Sequence, residues 1–436
     1  MRLISKRQLP LLLLMTALMA ALIFRFFLES KNPPSPPPQP APEAPLAHSL
    51  SFLASQPDWK KLDIFQNTIT RPEFETLLTQ VFTTGNAWQN VIEISNSSAR
   101  ITTSNAGDTE VFQLQFAPSE PTPQAPRNWR TAHELPPAHR DKPLADLHIA
   151  IDPGHIGGDW AKMEERWFVV GNGIPVREGD MTLHVAKLLK PKLESLGARV
   201  SLVRETAEPV TPIRPEALRT RVEDSDNAAD SPATLQRLAE RLFYRTAEIR
   251  ARAERVNHTL KPDLVLCLHF NAEAWGDPTQ PTLIDRTHLH LLLNGAYNDE
   301  EVLLADQRFA MLQKLLQRTH QEEVHIGTTV ANTFAKASGL PPYSYPPDSP
   351  NVRPVAAHPY LWARNLLANR LYDCPVIFME PYVMNSTLDH ARIQAGDYDG
   401  LREIEGKFRP SIFSEYANAL ADGLSTHYLQ SRKFHD

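Results

Sequence analysis

From residue 147 onward, short apolar runs alternate with helix-forming stretches, and this alternation constrains the fold more than any other feature of the chain. The run 264–268, Leu-Val-Leu-Cys-Leu, has no polar break, as a strand buried on both faces requires. Runs 147–151, 199–203, 288–293 and 375–379 also read as strands. Between them, 180–196 reads as a helix, with Pro191 placed to kink it and Gly197 just past its end. A charge-rich stretch from 234 to 259 reads as a second, longer helix. Strand and helix in alternation imply an α/β fold with a mainly parallel sheet and helices on both faces. In such sheets, ligands collect at the carboxyl ends of the strands.

The first 145 residues divide by composition. Arg2, Lys6 and Arg7 precede an uncharged apolar run from 9 to 24, which extends to Leu28 if Arg25 snorkels. No small-x-small cleavage pattern follows directly, so 1–30 reads as an uncleaved membrane anchor in preference to a cleaved signal. Either way, the rest of the chain is expected outside the cytoplasm. Residues 31–47 are a Pro-rich linker, with eight Pro in the fifteen residues from 31 to 45, which favours an extended spacer. Residues 48–117 read as a small α+β module: Thr70 and Glu73 form a capping box ahead of Phe74, Leu77, Leu78 and Val81 at helical spacing, and 88–94, 99–103 and 111–116 read as strands. This module shows no catalytic grouping and is expected to bind or to space. A second Pro-rich linker, 118–145, separates it from the remainder.

Composition excludes some classes. The net charge of −6 gives no electrostatic reason to expect a nucleic acid partner. Two cysteines in 436 residues, Cys267 and Cys374, do not make a disulfide scaffold.

The chemistry-bearing residues follow the strands. His155 ends the run Ile-Ala-Ile-Asp-Pro-Gly-His at 149–155, and His269 follows 264–268 directly. Glu178 lies in Arg-Glu-Gly-Asp at 177–180, and Glu380 in Met-Glu-Pro at 379–381. Two imidazoles and one carboxylate can hold Zn²⁺ with a coordination position open, which suits a hydrolase, and a further Glu can move protons. Singly, each residue has a plainer reading: a turn histidine, a helix-capping carboxylate, a core histidine, an arginine partner.

In order, the motifs IDPGH, REGD, LVR, LHFNA and MEPYVMN resemble the zinc-dependent N-acetylmuramoyl-L-alanine amidases of the Amidase_3 type, over residues 146–430. The resemblance implies an amidase catalytic domain there, acting on the bond between N-acetylmuramic acid and L-alanine of peptidoglycan. It implies His155, Glu178 and His269 as zinc ligands and Glu380 as the catalytic glutamate. Asn271, Asn385 and Arg204 match positions that family favours. It places the protein in the cell envelope with muramyl peptides as partner; whether an activator protein is needed is not written in the sequence.

Some features depart from the family. Residues 160–176 lengthen the interval between His155 and Glu178 and bring Glu164 and Glu165 as rival ligands; Asp180 is another rival, or a helix cap. Residues 341–360, rich in Pro and Tyr, lengthen the interval before Glu380 and are expected near the cleft, to shape or cover it. Pro381 replaces an expected Gly, and Tyr382 an expected Phe. Asp152 is a candidate second-sphere acceptor for a ligand imidazole. His288 and His290 alternate on a strand and could form a metal pair, although a strand-face role is preferred. Two other functions stay open: a non-catalytic or activator-dependent peptidoglycan-binding protein on this scaffold, and a zinc peptidase acting on stem peptides.

Overall fold

The computed structural model describes residues 50–104, 110–120, 122–124, 126–223 and 231–435. The expected anchor and the first Pro-rich linker lie outside them. Among the described residues, no helix is long and apolar enough to cross a membrane.

The capping box reading of Thr70 holds at its first half: the Thr70 hydroxyl accepts from the Glu73 N–H, and α1 runs over Arg71–Leu77 with Pro72 in its first turn. Strands β1 (Ile92–Ile94), β2 (Ser98–Thr102) and β3 (Val111–Gln115) pair antiparallel. Alternation puts Phe112 and Leu114 on the buried face of β3. Residues 88–90, which read as the start of a strand, belong to the 3-10 turn Ala87–Asn90 instead. The apolar faces of these elements close over Tyr297, Val302, Met311, Leu312, Leu315 and Leu316, so both segments share one core.

Seven strands build the main sheet: β4 (His148–Pro153), β5 (Arg199–Leu202), β6 (Leu264–Leu268), β7 (Leu289–Leu293), β8 (Arg353–Pro354), β9 (Leu361–Ala363) and β10 (Val376–Pro381). Their spatial order is β8-β9-β7-β10-β6-β4-β5. The neighbours β5, β4, β6 and β10 run parallel, as do β9 and β7; β7 against β10 and β8 against β9 are antiparallel. The sheet is therefore mixed and mostly parallel.

Period-two alternation gives each central strand two apolar faces. Ile149, Ile151, Leu266, Leu291, Ile377 and Met379 belong to one core, which includes residues of α2 (Glu178–Ser195), α6 (Thr319–Ser338) and α7 (Ile412–Ser431). Ala150, Val265, Cys267, Leu292 and Phe378 belong to a second core with Ala253, Val256 and Tyr372. Helix α2 runs on through Pro191 to Ser195, and Gly197 takes φ +100° beyond its end. The stretch expected as one helix from 234 to 259 is helical throughout, with two π segments inside it. It comprises α3 (Pro232–Leu242), a π turn (Phe243–Ala247), α4 (Glu248–Glu254) and a second π turn (Arg255–Leu260). Helix α5 (Ala305–Gln317) and α6 meet at Arg318, whose φ of +56° breaks them into two.

Candidate metal centre

Three neighbouring parallel strands end together and deliver three of the four residues. Pro153 of β4 is in register with Leu268 of β6, and Leu268 with Met379 of β10. Beyond these positions the chain continues into Gly154-His155, His269 and Glu380 respectively. The Gly154 N–H donates to the Leu268 carbonyl at 2.8 Å, and the His269 N–H to the Met379 carbonyl at 3.1 Å, so the strand ends stay tied. Glu178 arrives as the first residue of α2, and its N–H donates to the Arg166 carbonyl.

Glycines permit this crowding. A Cβ on Gly154 would overlap the His269 ring, and one on Gly179 would overlap the Ile156 carbonyl. His155 sits at φ +62°, a left-handed conformation uncommon for a side-chain-bearing residue.

The ligand atoms of His155, Glu178 and His269 lie within 4.8 Å of one another. His155 Nε2 is 3.2 Å from Glu178 Oε2, and His269 Nδ1 is 3.2 Å from Glu178 Oε1. The two rings meet edge to face at 4.9 Å, and the His269 ring stacks on Phe378 at 4.3 Å. Burial pushes His155 well below its ordinary pKa and so keeps it neutral, as a metal ligand must be. Burial pushes Glu178 up, but His155, His269 and Arg166 outweigh it and leave the carboxyl below its usual value. This buried set of two nitrogens and a carboxylate fits a zinc ion by donor type. Glu380 is partly buried beside it, and burial foremost raises its carboxyl to about 7 against the pull of His269.

The cleft opens in two directions from this centre. One part, of about 390 Å³, is lined by His155, Arg166, Glu178, Asn271, Trp275 and Glu380 among others. The other, of about 440 Å³, shares His155, Arg166 and Glu380 and continues past Arg364 and Tyr244.

Two buried arginines hold the turns beneath. Arg204 donates to the Gly179 carbonyl at 2.8 Å, and Arg252 donates to the Pro153 and His155 carbonyls at 2.8 and 2.7 Å. Asp152 belongs to this layer: it accepts from Arg252 and from the Tyr372 hydroxyl. It therefore does not orient a ligand imidazole, because its two oxygens are taken by Arg252 and Tyr372. That contact is made by Glu164, whose Oε1 is 2.9 Å from His155 Nδ1. Neither Glu164 nor Glu165 joins the ligand group; Glu165 pairs with Arg241 and Arg245. Asp180 also stays apart, accepting from the Gly158 N–H and pairing with Arg177.

The remaining expectations resolve as follows. Asn271 lines the cleft, while the Asn385 side chain accepts from the Glu273 N–H and donates to the Thr282 carbonyl, bracing the loop between. Tyr382 takes φ +61° after Pro381, and its hydroxyl donates to Glu415 at 2.8 Å. Cys267 and Cys374 are free, buried thiols. His288, just ahead of β7, and His290 within it are buried against Tyr343 and Tyr345. Residues 341–360 pack there and do not line either part of the cleft. Arg166, Arg252 and the contact of Glu164 were missed by sequence reasoning. They carry no local pattern, since each reaches the site from a segment defined only by the fold.

No protein-family model matches the chain, and no curated protein matches it in sequence. Solved structures it is similar to include amidases. They include the apo form of the N-acetylmuramyl-L-alanine amidase Ami1 from Mycobacterium abscessus, at 17% identity over 65% of this chain and 99% of that one, with a TM-score of 0.35. The catalytic domain of CwlV, an N-acetylmuramoyl-L-alanine amidase from Paenibacillus polymyxa, is 14% identical over 66% of this chain and 99% of that one, with a TM-score of 0.35. The CwlD amidase from Clostridioides difficile, solved in complex with the GerS lipoprotein, is 12% identical over 65% of this chain and 98% of that one, also at 0.35. The assignment of an activity rests on the side chains of the centre.

Proposed function

We propose that this protein is a zinc-dependent N-acetylmuramoyl-L-alanine amidase that cleaves peptidoglycan. The observation that carries the reading is the convergence of His155, Glu178 and His269, with ligand atoms within 4.8 Å of one another, and Glu380 lining the same cleft. His155, Glu178 and His269 would hold the metal. When bound, zinc supplies a Lewis acid that acidifies a water molecule and polarises a carbonyl oxygen. Glu380 takes the proton from the attacking water and returns it to the amide nitrogen as the carbon–nitrogen bond breaks. A carboxyl raised to about 7 is matched to both halves of that transfer near neutral pH. The two-part cleft gives room for substrate on both sides of the scissile bond. The apolar N-terminus and Pro-rich spacer support an envelope location with the catalytic domain outside the cytoplasm, in the periplasm or an equivalent space.

The test uses the soluble chain from Pro45 onward on purified sacculi, with and without zinc, and mass spectrometry of the products. Free stem peptides with intact L-alanine N-termini, lost on chelation, are the expected result. Peptides cut within the stem would replace the amidase reading by a peptidase. No release despite bound zinc would favour a binding protein or a need for an activator.

A further inference from the structure

We infer that Glu164 is a positioning residue of the metal centre, fixing the tautomer and the orientation of His155. This rests on the metal-site reading above and deepens it. Glu164 belongs to the 160–176 segment, the stretch by which this chain departs from the family it resembles. Its side chain is buried at 5% exposure, and both of its oxygens are committed to the histidine turn. Oε1 lies 2.9 Å from His155 Nδ1, and Oε2 accepts from the Ile156 N–H at 2.7 Å. One carboxylate thus grips the ring and the backbone on either side of a residue held at φ +62°.

The chemistry of ligation makes the contact consequential. A metal-binding imidazole presents the lone pair of one nitrogen and carries its proton on the other. An acceptor at Nδ1 keeps the proton there and leaves Nε2, the nitrogen 3.2 Å from Glu178, free for the metal. It also stops rotation of the ring about its own axis. The grip is itself supported. The short helix Trp160–Met163 precedes Glu164, and the Glu164 N–H donates to the Trp160 carbonyl at 3.0 Å. The Trp160 ring packs on Phe243 at 5.5 Å, and its indole N–H donates to Glu208. Two residues on, the Arg166 carbonyl accepts from the N–H of Glu178. The 160–176 segment therefore touches two of the three ligands, and Glu164 acts through His155.

The full chain is compared with Glu164→Gln, Glu164→Ala and, as a neighbouring control, Glu165→Gln, which alters an exposed carboxylate outside the cleft. Zinc affinity is measured by chelator competition, the ligand field by the visible absorption of the cobalt-loaded protein, and folding by thermal unfolding of the metal-free forms. Both Glu164 variants are expected to bind zinc about 10–100-fold more weakly with a shifted cobalt band, and Glu165→Gln to match the parent. If Glu164→Ala does not fold, Glu164→Gln decides alone, since it keeps the volume. Affinities within about threefold of the parent in a folded Glu164 variant overturn the inference. Failure of the parent to take up zinc overturns it together with the metal reading. Zinc uptake without peptide release from sacculi would sink the amidase reading only, leaving the affinity comparison to judge Glu164.

Discussion

At the residue scale, the centre depends on what is absent as much as on what is present. Gly154 has no Cβ because the His269 ring occupies that space. Gly154→Ala is expected to displace His269, at about 1–3 kcal/mol of overpacking, and to weaken zinc binding; chelator competition and urea unfolding check the two effects separately. Glu380→Gln keeps the shape of the site but removes the base. Zinc content should be unchanged while kcat falls by about 10²–10⁴-fold. The acid limb of kcat/KM follows from the same group. Glu380 must be ionised to take a proton, and burial sets its carboxyl at about 7 in the protein alone. The rate should therefore fall as pH drops through 7 or lower, since a bound cation favours the ionised form; an acid limb that persists unchanged in Glu380→Gln would contradict the role. His155, Glu178, His269 and Glu380 were legible because each sits in a short motif at a strand or helix end. The acceptor behind a ligand imidazole was not: Asp152 was the candidate, and Glu164 makes the contact, to His155.

At the element scale, strands were easier to read than helices. The run 264–268 became β6 without change, because burial on both faces demands an unbroken apolar sequence. Helix α6 is also deeply buried, yet its apolar stripe of Ile326, Val330, Ala331 and Phe334 begins only part-way along; Thr319, His320, Glu322 and Glu323 are buried ahead of it. Glu323 shows what such burial does. Its carboxylate accepts from the N–H groups of Val376 and Asn294, and burial outweighs those bonds and Lys314, raising its pKa to about 7. The folded state then holds this proton more tightly than the unfolded chain, whose carboxyl titrates at about 4.5. The contribution is complete below pH 4.5 and is lost as pH rises to about 7. Relative to the parent, Glu323→Gln should gain stability between those limits, by at most roughly 3 kcal/mol. Urea unfolding of both proteins at pH 5 and pH 8 measures the gain, and a constant difference would refute it.

At the scale of the whole molecule, residues 50–116 and 297–316 share one core, and the parts are expected to depend on each other for stability. A chain begun at residue 126 would expose Tyr297, Val302, Met311, Leu312, Leu315 and Leu316. At about 1.5–3 kcal/mol for each large side chain, the loss approaches the whole stability of an ordinary domain. Aggregation or strong binding of an apolar dye is the expected outcome; a soluble, fully active fragment would show that the shared core is dispensable. By itself, the sequence determined the α/β alternation and the apolar strands of the central sheet, and it marked His155, His269 and Glu380 at strand ends and Glu178 at a helix start, because burial demands apolar types along a strand and polar types stand most readily where the element ends. Only the tertiary structure decided that β7 runs against β10, that the early segment closes over α5, and that Glu164 meets His155. Those contacts join residues whose side chains are ordinary in their own local sequence, and they become specific only when packing brings distant segments to the same place.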